Sequence, residues 1–190
     1  MTPFKVLTIA SLLFGFVSCG EQQDDSDKEN AITDTIKVAD TTSAPAIADT
    51  INAPRLVNAS ADGSLLLTAE TGKGVGPNIK YMPEWRAFGW FTSSDSVVWD
   101  VDVQAAGEYE VFMEWSVDDK EAGKEYVLRS TGNELSGKVG KSGSWETYKS
   151  EKLGDLKLES GHQNIVFKSK KAFSKDGALL DLRNLKLVKK

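Results

Sequence analysis

Between Val97 and Val103 the chain alternates without a break, with Val97, Trp99, Val101 and Val103 on one face and Asp100 and Asp102 on the other. A period of two places one face on a core and the other in water, which is the signature of a half-buried β-strand. A second such run, Tyr109, Val111, Met113 and Trp115, follows after the short turn Ala105 to Gly107. The two are expected to pair as an antiparallel hairpin. Upstream of the first run lies Y-M-P-E-W-R-A-F-G-W-F, Tyr81 to Phe91. Here Pro83 and Gly89 interrupt any regular helix or central strand and put Trp85 and Trp90 on or beside a loop. An aromatic loop on a rigid sheet edge suits a flat, polar ligand such as a sugar ring.

Further short apolar runs recur at similar spacing, separated by Gly, Ser, Asn and Asp: Leu65 to Ala69, Asn78 to Tyr81, Tyr126 to Leu128, Leu135 to Val139, Trp145 to Tyr148, Leu156 to Leu158, Ile165 to Phe167 and Ala178 to Val188. No stretch carries a helical period over ten residues. Nine or so strands without a helix predict an all-β chain, a jelly-roll β-sandwich over residues 64–190. An immunoglobulin-like sandwich is the rival architecture, without a buried cysteine pair to support it.

The N-terminal third reads differently. Lys5 precedes an apolar run, Val6 to Val17, too short for a membrane span and shaped like a signal peptide over residues 1–18. The run ends in F-V-S-C-G, and the only cysteine of the chain, Cys19, stands where a bacterial lipobox has its lipidated residue, with Phe16 in place of the usual leucine. This resembles a lipoprotein leader and implies lipidation at Cys19. The acidic G-E-Q-Q-D-D-S-D that follows resembles an outer-membrane export signal and equally fits a solvated linker. Residues 19–63 lack aromatic residues and carry nine acids against three bases. Such a segment cannot bury enough apolar area to offset its ordering entropy, so it reads as a disordered tether.

From Leu65 onward acids and bases number nineteen each. A near-neutral domain argues against nucleic acid as a partner. The single histidine, His162, lies in a turn, and without a second histidine or another cysteine neither a transition-metal site nor a histidine-dependent triad can be assembled. Glycosidase chemistry needs two facing carboxylates. Glu84 and Asp95 flank the aromatic loop, but nothing in the sequence pairs them. The glycine-spaced T-G-K-G-V-G around Gly72, Gly74 and Gly76 is not followed by a helix, so it reads as a turn rather than a phosphate loop. Trp99 and Trp115 alternate with polar residues and belong to the core. Phe88, Trp90 and Phe91 either form a packed plug or present Trp90 to a ligand.

Four landmarks stand in order: L-T-A-E-T, then G-W-F-T-S-S-D-S-V-V-W-D-V-D-V, then A-A-G-E-Y-E-V-F-M-E-W, then S-G-S-W-E-T-Y with L-K-L-E-S-G-H-Q-N-I-V-F and L-L-D-L-R-N-L-K-L. The series resembles the carbohydrate-binding modules of family 6 and its relatives in families 35 and 36, which have a galactose-binding-like β-sandwich. The resemblance implies a non-catalytic domain that holds an oligo- or polysaccharide between two loop aromatics, matching Trp90 and Trp145. A polar partner from the last strand would match Asp181. Trp85 and Glu84 join the candidate ligand contacts through their place beside Trp90. The family's structural calcium would match Glu70, although its second ligand position falls near Arg183. The expected setting is a lipid-anchored module of the bacterial outer membrane, on its periplasmic or surface face. The alternative is an accessory lipoprotein whose sandwich docks onto an envelope enzyme or transporter.

Overall fold

The computed structural model of the chain describes residues 55–190. The leader, Cys19 and most of the expected tether lie outside the described residues. Twelve strands follow in order: β1 Val57–Asn58, β2 Leu65–Thr68, β3 Lys73–Val75, β4 Lys80–Met82, β5 Ala87–Gly89, β6 Ser96–Val103, β7 Gly107–Ser116, β8 Glu125–Ser130, β9 Asn133–Lys138, β10 Lys149–Leu158, β11 Gly161–Ser169 and β12 Asp181–Lys189. They form two sheets. One runs β1-β6-β11-β8-β9 with β3 also on β6, and the other runs β10-β7-β12-β5-β4 with β2 also on β12. The all-β sandwich expected from the alternating runs is the fold observed.

The core lies between the sheets and is built from the inward faces of the alternating strands. Val97, Trp99, Val101 and Val103 of β6 face Tyr109, Val111, Met113 and Trp115 of β7, all sealed from solvent. Burial of this size, at about 25 cal/mol per Å² of apolar surface, is the main driving force for folding. Carried inward, Trp99 Nε1 donates to the Thr68 carbonyl at 2.8 Å, whereas the buried Trp115 Nε1 has no partner among the described residues. Gly72 is required beside Trp99, since a Cβ on it would lie 2.7 Å from Trp99 Nε1.

Several expectations are corrected. β6 and β7 do not pair with each other; β6 pairs with β11, and β7 with β10 and β12. Their apolar faces look at one another across the core, so the short connection turns a corner between sheets, pinned by Tyr109 Oη donating to the Ala105 carbonyl at 2.8 Å. Val57 and Asn58, assigned to the tether, pair in parallel with Val101 and Asp102, and Val57 is buried. The glycine-spaced run contains strand β3, antiparallel to β6. Leu156 to Leu158 is the end of β10 rather than a separate strand. Pro83 does break the chain, but Ala87–Gly89 resumes as β5, wholly buried against β4 and β12.

Candidate functional site

The loops after β5, β9 and β11 meet at the end of the sandwich where β12 begins. The β5–β6 loop is held rigid from within. Asp95, only 2% exposed, accepts from the Thr92 amide at 2.8 Å, the Thr92 hydroxyl at 2.7 Å and the Asn78 amide at 3.2 Å. Phe91 is buried edge-to-face on Phe167, with centroids 5.8 Å apart, and its carbonyl accepts from the Leu179 amide at 2.6 Å. Of the aromatic triplet, Phe88 and Phe91 form the plug and Trp90 is turned out, 57% exposed. The backbone makes that inversion possible: Trp90 has φ of +50°, a left-handed conformation that is costly for a bulky residue. Strain of this kind persists where surrounding structure enforces it, and it concentrates at functional sites.

Trp145 reaches the same end from the loop between β9 and β10. Its carbonyl accepts from Ser116 Oγ at 2.7 Å. Ser142, buried in the same loop, accepts from the Val117 amide and donates to the Val117 carbonyl, both at 2.8 Å. The loop is thus tied to the end of β7, and Trp145 packs one side of its indole against the core.

Trp90, Trp145 and Asp181 line one groove of about 260 Å³, completed by Met82 and Ala178. Three candidates named from separate stretches of sequence therefore come together. Asp181, the first residue of β12, is its only charged side chain. Burial pushes the Asp181 carboxyl up to about 7. Its Oδ1 and the Met82 thioether both press on β5, where a Cβ on Gly89 would come within 2.8 Å of the oxygen and 2.6 Å of Met82 Cε. Lys80 carries its ammonium 5.5 Å from the centroid of the Trp90 ring. Met82, Ala178 and Gly89 escaped sequence reasoning. Met82 and Gly89 sit in strands of three residues, too short for a periodic signal, and nothing marks Ala178.

Trp85 and Glu84 are not part of this groove. They line a second cleft, of about 350 Å³, with Glu70, Arg86, Glu114 and Arg183. Trp85 stacks on Tyr148 at 6.4 Å, and the Arg183 guanidinium lies 3.6 Å over the same tyrosine ring. Arg183 also donates to the Trp85 carbonyl at 3.2 Å and to Glu114 at 2.7 Å, while Asn184 donates to the other Glu114 oxygen at 2.6 Å. A bulge between Leu182 and Asn184 turns Arg183 toward these partners. Sequence adjacency to Trp90 is misleading here because the left-handed Arg86 and strand β5 separate the two tryptophans.

The surroundings of Glu70 do not fit calcium. Arg86 donates to both of its oxygens, Nε at 2.5 Å and Nη2 at 3.1 Å, and Tyr81 Oη adds a longer contact at 3.4 Å. The Arg86 bond holds the Glu70 carboxyl below its ordinary range. Calcium needs six or more oxygens, and among the described residues no three His, Cys, Asp or Glu side chains converge. A guanidinium stands where the cation was expected. Glu84 and Asp95 do not form a carboxylate pair, because Asp95 is consumed by its loop.

No protein-family model and no curated protein matches the sequence. Solved structures do match in shape. The family 35 carbohydrate-binding module from Clostridium thermocellum shares 16% identity over 67% of this chain and 98% of its own, with a TM-score of 0.52. The C-terminal family 6 module of the laminarinase LamC from Zobellia galactanivorans shares 12% over 66% of this chain and 99% of its own, with a TM-score of 0.54. The exo-β-1,3-galactanase of Phanerochaete chrysosporium shares 21% over 67% of this chain, at a TM-score of 0.52, and this chain spans only 30% of that enzyme. The described part of the chain has the galactose-binding-like β-sandwich fold of the family 6 and family 35 carbohydrate-binding modules.

Proposed function

We propose that this protein is a non-catalytic carbohydrate-binding domain, and that Trp90 and Trp145 stack on a saccharide whose polar groups bond Asp181. The observation that carries the reading is the convergence of two indoles from distant loops on one groove with a single carboxylate. An indole face is electron-rich and attracts the C–H face of a pyranose, while a carboxylate accepts from hydroxyls. One carboxylate cannot run glycosidase chemistry, which requires two across the scissile bond. The lipobox-like residues up to Cys19 and the tether composition support a lipid-anchored module of the bacterial outer membrane. Trp90→Ala and Trp145→Ala should each abolish retention on a glycan array without loss of fold by circular dichroism. A wild-type array with no signal would remove the carbohydrate reading. Incorporation of labelled fatty acid, lost in Cys19→Ala, tests the anchor separately.

A further inference from the structure

Asp181 is an unusual floor for a groove whose other walls are two indoles, a thioether and a methyl group. Among the described residues its carboxylate has no hydrogen-bonding or ionic partner, and burial raises its protonation range. The nearest cation along the strand, Arg183, is already committed to Glu114 and to the Trp85 carbonyl. On the β5 side, an oxygen of the carboxylate and the Met82 thioether both lie against Gly89. A half-buried carboxylate without a counter-charge gains from a group that supplies the missing charge.

On the reading that this groove holds a saccharide, we propose that the saccharide is an amino sugar with a free ammonium group, seated between the Trp90 and Trp145 rings with its charge on the Asp181 carboxylate. The carboxylate and the indole walls agree with this. An ammonium brings donors only and a carboxylate acceptors only, and such charge-assisted bonds are roughly twice as strong as neutral ones. Indole faces attract cations, and since the Lys80 ammonium already lies 5.5 Å from the Trp90 centroid, the charge of the ligand belongs on Asp181. A sugar carboxylate would meet Asp181 as a like charge. An N-acetyl group would add bulk and remove the ammonium.

The test is titration calorimetry of the full chain with the β-1,4-linked tetramer of glucosamine, its fully N-acetylated counterpart and cellotetraose, and with the three corresponding galactose-series sugars. At least tenfold tighter binding of an amine-bearing ligand than of both its counterparts is expected. Asp181→Asn should level the three, and raising salt from low to about half-molar should weaken only the amine ligand. Neutral or acetylated sugars binding as tightly as the amines would overturn this inference and leave the carbohydrate reading standing. An affinity for the amines indifferent to salt would overturn it as well, without reliance on a variant. Failure of all six ligands together with a blank glycan array would overturn both.

Discussion

Asp181→Asn should stabilise the protein at neutral pH. The carboxyl is raised from 3.8 to about 7, and burial is its cause. A group whose folded-state value lies above its unfolded one favours folding below the unfolded value and loses that contribution as pH rises through the folded one. Below pH 4 both states are protonated and Asp181 costs nothing electrostatic. Between pH 4 and pH 7 the unfolded chain ionises first and stability drains away. Above about pH 8 the full penalty is present: about three units at 1.36 kcal/mol each, or about 4 kcal/mol. An asparagine of the same shape does not titrate. The assay is urea unfolding followed by tryptophan fluorescence from pH 4 to pH 8.5. The stability of Asp181→Asn minus that of wild type should be near zero at the acid end and climb to several kcal/mol at the alkaline end. Parallel curves would refute the argument, for they would mean that the carboxylate is solvated or paired in solution. A carboxylate that weakens the fold at working pH fits a role in recognition rather than in folding.

Three more outcomes are expected. At Trp90, with φ of +50°, the glycine variant should be more stable than the alanine variant by about 1 kcal/mol in chemical denaturation, the reverse of the order at ordinary sites; alanine equal to or above glycine would show that the indole is not held in a left-handed conformation. Gly89→Ala drives a methyl into Met82 and Asp181, so it should cost about 1–3 kcal/mol and weaken glycan retention, read by thermal melt and pull-down on one sample. Adding a chelator should leave the melting temperature unchanged, because Arg86 already occupies Glu70; a fall of several degrees would restore calcium to the site.

What was legible in the sequence followed from length. The eight-residue β6 and ten-residue β7 carry enough alternation to announce themselves. Strands β1, β3 and β5 have two or three residues and exist because a longer neighbour offers an unpaired edge, which no local pattern records. Pairing was misread at β6 and β7 because a short connection serves a hairpin or a corner equally well. Only the opposing apolar faces, meeting across the core, decide between them. In β12 the broken alternation of Leu182 and Leu185 did carry a sign of the bulge at Arg183. That Trp90, Trp145 and Asp181 share one groove was readable from the resemblance. Which of Phe88, Trp90 and Phe91 faces outward depended on one backbone angle that residue type does not reveal. Trp85 was grouped with Trp90 by proximity along the chain, and Glu70 with a metal, because the sequence does not display the reach of Arg86.

The two clefts at Trp90 and at Trp85 separate by a simple criterion. In the larger one two of the three lining carboxylates are paired: Glu70 meets Arg86, and Glu114 meets Arg183 and Asn184. A ligand entering there would have to replace bonds already made, and gains little from groups that are already satisfied. In the smaller one the Asp181 carboxylate has no partner among the described residues, and an exposed indole is held on strained backbone. Burial raises the Tyr148 hydroxyl above its ordinary range, and the Asp181 charge pushes in the same direction, so ionisation of either group disfavours the other. The groove between Trp90 and Trp145 is the one we propose for the ligand on this ground, although the other cleft is larger.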